Sequence, residues 1–327
     1  MTKRNKLLES IAKTIADYRE GEISPPTPDH VDTWIRQFDD DAQVPMLAEL
    51  NHVLGETYIS RPQVREFLSA LVKNKNFAGE NPRTFWRKAS FLNIQEGGNS
   101  QQEMLAMFDE VLQRECDLTI AKCGKDAETF IYIDDGIFTG NRVRNDLTNW
   151  IQSSAPQQAE VRIVVIALHR GGEYYAGTGL KKAAEQTGKK IEIGWWRCVS
   201  IEDRKTYINS SDVLRPACLP EDERTKAYAR SLRYPPVLRK PGSIGENKFF
   251  SSEEGRNLLE QELLKAGVSI RDQCPYLTVY QRPLGNMILE TLGFGTLIVT
   301  FRNCPNNCPL ALWAGDPWYP LFPRKTN

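Results

Sequence analysis

Apolar residues recur along this chain with two different periods, and the change falls near Trp86. Before it the spacing is helical. Leu7, Leu8, Ile11, Ile15 and Tyr18 make one stripe on a charged segment, and Val31, Trp34, Ile35 and Phe38 make another. Between them Ile23-Ser24-Pro25-Pro26-Thr27-Pro28 interrupts the helix, with Thr27 placed to cap the next one and Pro28 suited to its first turn. Met46 to Leu54 and Val64 to Val72 predict two further helices, so residues 1–85 read as a helical N-terminal region in which Trp34 is core rather than site. The asparagine- and glycine-bearing stretch from Asn74 to Pro82 predicts a linker.

After Trp86, short apolar runs alternate with helical stripes. Ala89 to Ile94 predicts a first strand. Ser100, with Glu103 three residues on, predicts a capped helix carrying Met104, Leu105, Phe108 and Leu112. Leu118 to Ala121 predicts a short second strand and Phe130 to Ile133 a third. Val143, Leu147, Trp150 and Ile151 then mark one face of a helix that begins at Asn141. Val161 to Leu168 is a continuous apolar fourth strand, the pattern of a parallel sheet covered on both faces. Thr178 to Gln186 predicts a helix and Ile191 to Trp195 a fifth strand. The expected fold class is therefore α/β, with a parallel doubly wound sheet over residues 86–215. A connecting segment, 216–244, with Pro235-Pro236 inside it, leads to a C-terminal α+β extension, 245–327, expected to pack on the sheet domain. There Glu253 to Ala266 predicts an amphipathic helix, Thr296 to Phe301 a strand and Asn303 to Pro309 a polar turn, while Trp313, Trp318 and Phe322 need burial.

Composition narrows the partners. Lys plus Arg and Asp plus Glu are 42 each, so no global field argues for nucleic acid. The seven scattered cysteines form no CxxC pair and point to reduced thiols rather than a disulfide framework. Cys304 and Cys308 lack a second ligand pair in a chain with three histidines, so no structural zinc is expected. The segment MTKRNKLLES has no signal-peptide core and no apolar run is long enough to span a bilayer, which predicts a soluble, cytoplasmic protein.

The candidate chemistry lies in Phe130 to Val143. An apolar strand runs into Asp134, Asp135 and Gly136, and a short turn delivers Thr139, Gly140, Asn141 and Arg142 to a helix start. Paired carboxylates suit the hydroxyls of a ribose diol, and loop amides at a helix N-terminus suit a phosphate. The loop after the first strand, Gln95-Glu96-Gly97-Gly98-Asn99, opens at the same end of the sheet. His169 and Arg170 follow the fourth strand there and are further candidates to face a ligand, although a lone histidine at a strand end is more often structural.

The segment IYIDDGIFTGNRV resembles the ribose-phosphate motif of the type I phosphoribosyltransferases. The resemblance implies that Asp134 and Asp135 contact the ribose hydroxyls of phosphoribosyl pyrophosphate, that Thr139 to Arg142 surround its 5′-phosphate, and that Gln95 to Asn99 take the pyrophosphate, with Mg2+ carried on the ligand. Two departures stand out. Arg142 occupies the place of a second hydroxyl residue, and the link from Cys123 to Glu128, where the family carries its mobile catalytic loop, is short. Transfer through a cationic transition state requires water to be excluded, so a short link favours binding over transfer.

Across the whole chain, Trp34-Ile35-Arg36-Gln37-Phe38, the Asp134-Asp135 motif and the ending from Asn303-Cys304-Pro305-Asn306-Asn307 to Leu321-Phe322-Pro323-Arg324 resemble phosphoribosyltransferase-like proteins of bacterial antiphage conflict systems. That resemblance implies an effector held in check by partner proteins, in some systems a retron reverse transcriptase with its RNA and DNA. Three readings stay open: a ribosyl-transferring effector, a nucleotide or ribose-phosphate sensor that has lost transfer chemistry, and a scaffold subunit for the reverse transcriptase. A homo-oligomer is compatible with each.

Overall fold

The strand-forming runs after Trp86 assemble into one parallel sheet. In the computed structural model, which describes residues 2–97 and 99–324, the strands are β1 (Ser90–Phe91), β2 (Thr129–Ile137), β3 (Gln158–His169) and β4 (Lys190–Ile201), in that spatial order. The helices between them are α1 (Ser100–Cys116), α2 (Asn141–Ser153) and α3 (Arg170–Thr187). Tyr132, Val161, Ile163 and Val165 lie in one cluster with Val143 and Leu147 of α2 and Leu180 of α3, so these two helices cover one face. Phe91 points to the other face, where its ring lies 5.3 Å from Phe108 of α1 and 6.0 Å from Trp86. The chain thus leaves β1 toward one face and β2 toward the other. Such a divergence opens a crevice at the carboxyl ends of the two strands.

Several expected elements take a different form. Leu118 to Ala121 is not a strand: Ile120–Lys122 is a 3-10 turn, with Ile120 N donating to Asp109 Oδ1 at 2.5 Å. An apolar run of four residues cannot specify a strand without a neighbour to pair with, and here only β1 edges the sheet on that side. The acidic strand is consequently the second of four, not the third of five. Asn74 to Pro82 is not a linker, because Asn74 Oδ1 caps a helix at Lys75–Ala78 and Phe77 is buried with its ring 5.2 Å from Trp86. The helix expected from Thr178 begins eight residues earlier, at Arg170, directly where β3 ends. Ser100 is the first residue of α1 rather than its cap, which is Asn99. Thr27 does cap Pro28–Ile35, accepting from His30 N at 3.2 Å.

By its contacts the chain forms two units, residues 62–201 around the sheet, and residues 1–61 together with 202–327. This grouping differs from the four-region division expected, since the helical start and the C-terminal extension build one core with each other. Trp34 Nε1 donates to Ala311 O at 2.7 Å, Tyr18 OH to Pro323 O at 3.0 Å, and the Tyr18 and Phe322 rings meet edge-on at 5.1 Å. Tyr58–Ile59 pairs in parallel with Val299–Thr300, the only part of the expected Thr296 to Phe301 strand that is a strand. Contacts this distant in sequence leave no mark on local periodicity. Among the described residues no helix is long and apolar enough to cross a membrane.

Candidate functional site

The site is built where the chain leaves β1 while β2 runs on beside it. β2 does not stop before its acids: Asp134 pairs with Val165, Gly136 with Ala167 and Ile137 with Leu168 of β3. Asp134 therefore sits on the ladder and Asp135 lies within the strand between two paired positions, which fixes their backbone more firmly than the turn expected from the sequence. Asp134 is buried, at 5% exposure, and Asp135 half-buried. The loop after β1 reaches the first acid through a side chain, Gln95 Nε2 donating to Asp134 Oδ2 at 3.0 Å. Gln95 Oε1 in turn accepts from Ser100 Oγ at 2.8 Å, and Gln101 Oε1 accepts from Ile94 N and Gln95 N at 2.8 and 3.0 Å. A pair of glutamines thus ties the start of the loop to α1 on one side and to the acidic strand on the other.

A second tie closes the crevice from α2. Arg142 Nη1 donates to Gly97 O at 2.5 Å, linking the two segments expected to hold pyrophosphate and 5′-phosphate. Arg142, Glu96, Gly97 and Asn99 are exposed and Thr139 and Asn141 half-buried, while Gly98 lies outside the described residues. Gly140, with φ at +78°, is the N-cap of α2, and Thr139 Oγ1 accepts from Asn141 N at 3.5 Å. The first-turn amides of a helix lack intrahelical acceptors and carry the positive end of its dipole, so this loop is suited to an anion.

The loop rests on the start of α3. A Cβ at Gly172 would lie 2.0 Å from Phe138 O, and one at Gly140 would lie 2.3 Å from Gly172 O. Only glycine permits that approach. Gly172→Ala is expected to push the loop off α3, lowering stability by about 1–3 kcal/mol and weakening phosphate binding. Urea denaturation alongside phosphate titration checks this, and a variant with unchanged midpoint contradicts it.

The electrostatics single out Asp134. Burial, and then the neighbouring Asp135 carboxylate, push its carboxyl up to about 7. Tyr132 OH donates to Asp146 Oδ2 of α2 at 2.9 Å, and burial raises Asp146 as well. The two adjacent acids match a magnesium ion that arrives on phosphates, because Mg2+ keeps waters and takes one or two carboxylates plus substrate oxygens. Among the described residues no cluster of three or more His, Cys, Asp or Glu forms a self-sufficient metal cage.

His169 and Arg170 lie at the junction of β3 and α3, next to the loop. His169 is fully buried at the end of β3, its ring 5.0 Å from Phe138 behind the loop, and Arg170 Nε reaches Ser200 Oγ of β4 at 3.4 Å. Sequence reasoning missed Gln101, Tyr132, Asp146 and Gly172. Gly172 lies in a Gly-Gly pair at a strand end, which is a visible sign of close backbone approach; the other three carry no such sign.

A family model described as PRTase-CE matches residues 31–324, and the chain belongs to this phosphoribosyltransferase-like family. No curated protein and no solved structure matches it.

Proposed function

From membership in the PRTase-CE family, we propose that this protein binds a ribose 5-phosphate ligand, phosphoribosyl pyrophosphate or a nucleotide, in the crevice between β1 and β2, and makes or breaks a ribosyl bond there. The observation that carries the reading is the junction itself: Gln95 meets Asp134, and Arg142 meets Gly97, so the two ligand-holding segments are in register. Asp134 and Asp135 accept the ribose hydroxyls and oppose positive charge that develops on the ribosyl carbon. Thr139 to Arg142 donate amides and a hydroxyl to the 5′-phosphate, and the Gln95 to Asn99 loop faces the pyrophosphate. Mg2+, bound through the ligand beside the two acids, would neutralise the pyrophosphate leaving group. The wider setting, an antiphage effector acting with partner proteins such as a retron reverse transcriptase, rests on the resemblance of the whole chain to conflict-system proteins.

A second reading, a sensor without transfer chemistry, is favoured by one observation. The segment where a lid would arise is fastened down, with Ile120 N on Asp109 Oδ1 at 2.5 Å and Gly124 N on Arg87 O at 3.1 Å. The test incubates the full chain with phosphoribosyl pyrophosphate and Mg2+ and follows pyrophosphate release with nucleobase and nucleoside acceptors. Release that Asp135→Asn abolishes supports transfer. Saturable binding with no release supports the sensor, and absence of binding by any ribose 5-phosphate sinks both.

A further inference from the structure

β4 forms the outer edge of the sheet. β4 runs for 12 residues, and among the described residues no strand pairs with its far side. Natural edges are blunted by proline, bulges, short length or dense charge. Of these β4 uses only scattered charge, Arg197 Nη1 donating to Trp195 O at 3.3 Å. It contains no proline, its register with β3 runs without a slip from Gln158↔Lys190 to His169↔Ile201, and between Glu192 and Arg197 it carries Ile193, Gly194, Trp195 and Trp196. Ile191, Ile193 and Trp195 line an open groove of about 640 Å³ beside Gly177 of α3.

We propose that a second copy of this chain covers this edge, the two β4 strands pairing antiparallel about a two-fold axis at Trp195 to make one continuous sheet across the dimer. The occupant is argued from the strand's complementarity to itself. In an antiparallel pair, residues directly opposite share a face, so a two-fold pairing matches only positions of like parity. Centring on Trp195 engages nearly the whole strand. Trp195 meets its own copy, Ile191 opposes Val199, and these continue the strand side of the groove from one copy into the other. On the opposite face Gly194 opposes Trp196 of the second copy, beside the Trp196 of its own chain, whose Nε1 lies 3.4 Å from where a Gly194 Cβ would stand. Glu192 opposes Cys198, Lys190 opposes Ser200 and Arg197 opposes Ile193, so no like charges face each other. The interface is isologous and closed, so it does not propagate into an open-ended assembly.

Glu192 and Cys198 are both exposed, so substitutions there leave the core intact. Sedimentation equilibrium of the full chain at tens of micromolar is expected to give a dimer. Cys198→Glu sets two carboxylates opposite each other at two symmetric points and is expected to weaken association about tenfold or more. Adding Glu192→Lys to that variant is expected to restore it, and Cys198→Lys alone to keep the dimer. A monomeric wild type, a dimer indifferent to Cys198→Glu, or a loss that Glu192→Lys does not repair each overturns the proposal.

Discussion

Glu260→Gln is expected to destabilise the unit formed by residues 1–61 and 202–327 by about 3–5 kcal/mol. Glu260 has no exposed surface and lies between two guanidinium groups that are themselves buried. Arg239 Nη2 reaches Glu260 Oε2 at 2.8 Å and Arg256 Nε reaches Glu260 Oε1 at 2.8 Å, while Arg215 N donates to the same Oε1 at 2.9 Å. The remaining donors are also met: Arg239 binds Glu253 Oε1 at 2.7 Å and Asn257 Oδ1 at 2.8 Å, and Arg256 Nη2 binds Val213 O at 2.9 Å. The carboxamide keeps the shape but removes the only fully buried negative charge in this cluster and turns an N–H2 toward one arginine. Breaking such a network costs more than the network itself contributes, because two desolvated cations are left short of a counter-charge. Urea denaturation checks this through the midpoint at constant slope. A loss below about 1 kcal/mol would place the value of the network within the range of a surface pair and contradict the account.

Asp134→Asn is expected to do the opposite, raising stability, and only on the alkaline side. The Asp134 carboxyl ordinarily titrates at 3.8 and here is pushed up to about 7, first by burial and then by Asp135. Between those values the folded chain keeps a proton that the unfolded chain has released, so stability falls as pH rises across this window and levels off above it. The full span corresponds to about 4 kcal/mol. Asparagine stays neutral throughout and escapes the penalty, so its advantage over wild type should be small near pH 4 and grow toward pH 8, at about the scale of the span. Thermal or urea unfolding of both proteins at several pH values reads it directly. An offset independent of pH would mean that Asp134 is not held above its ordinary range. The price of the native carboxyl is explicable if a bound ribose and its metal favour the ionised form, in which case ligand uptake releases a proton near neutral pH.

How far the sequence reaches is set by the range of the interactions involved. β3 was legible because both its faces are covered, which leaves a continuous apolar run at 161–168, and α2 because Val143, Leu147, Trp150 and Ile151 bury one stripe. The strand, loop and helix that carry the acids were legible because an apolar run, two carboxylates and a glycine-bearing turn lead directly into the α2 stripe. What was not legible depends on partners far along the chain. Leu118 to Ala121 has strand composition but no strand to pair with. Asp134 and Gly136 join the ladder because Val165 and Ala167 are beside them. The union of both ends of the chain in one core rests on contacts such as Trp34 with Ala311, 277 positions apart. Gln95 reads in the sequence as part of the expected pyrophosphate loop, and its reach to Asp134, the tie between the two halves of the crevice, carries no local sign.

The proposed function stands or falls with the two aspartates of β2 holding a ribose phosphate. Isothermal titration of phosphoribosyl pyrophosphate with Mg2+ into wild type and into Asp134→Asn/Asp135→Asn tests it most directly, with urea midpoints confirming that both proteins are folded. The prediction is saturable binding to wild type and a loss of affinity of about a hundredfold or more in the double variant. Equal affinity in the two proteins, or a folded wild type that binds no ribose 5-phosphate, would contradict it.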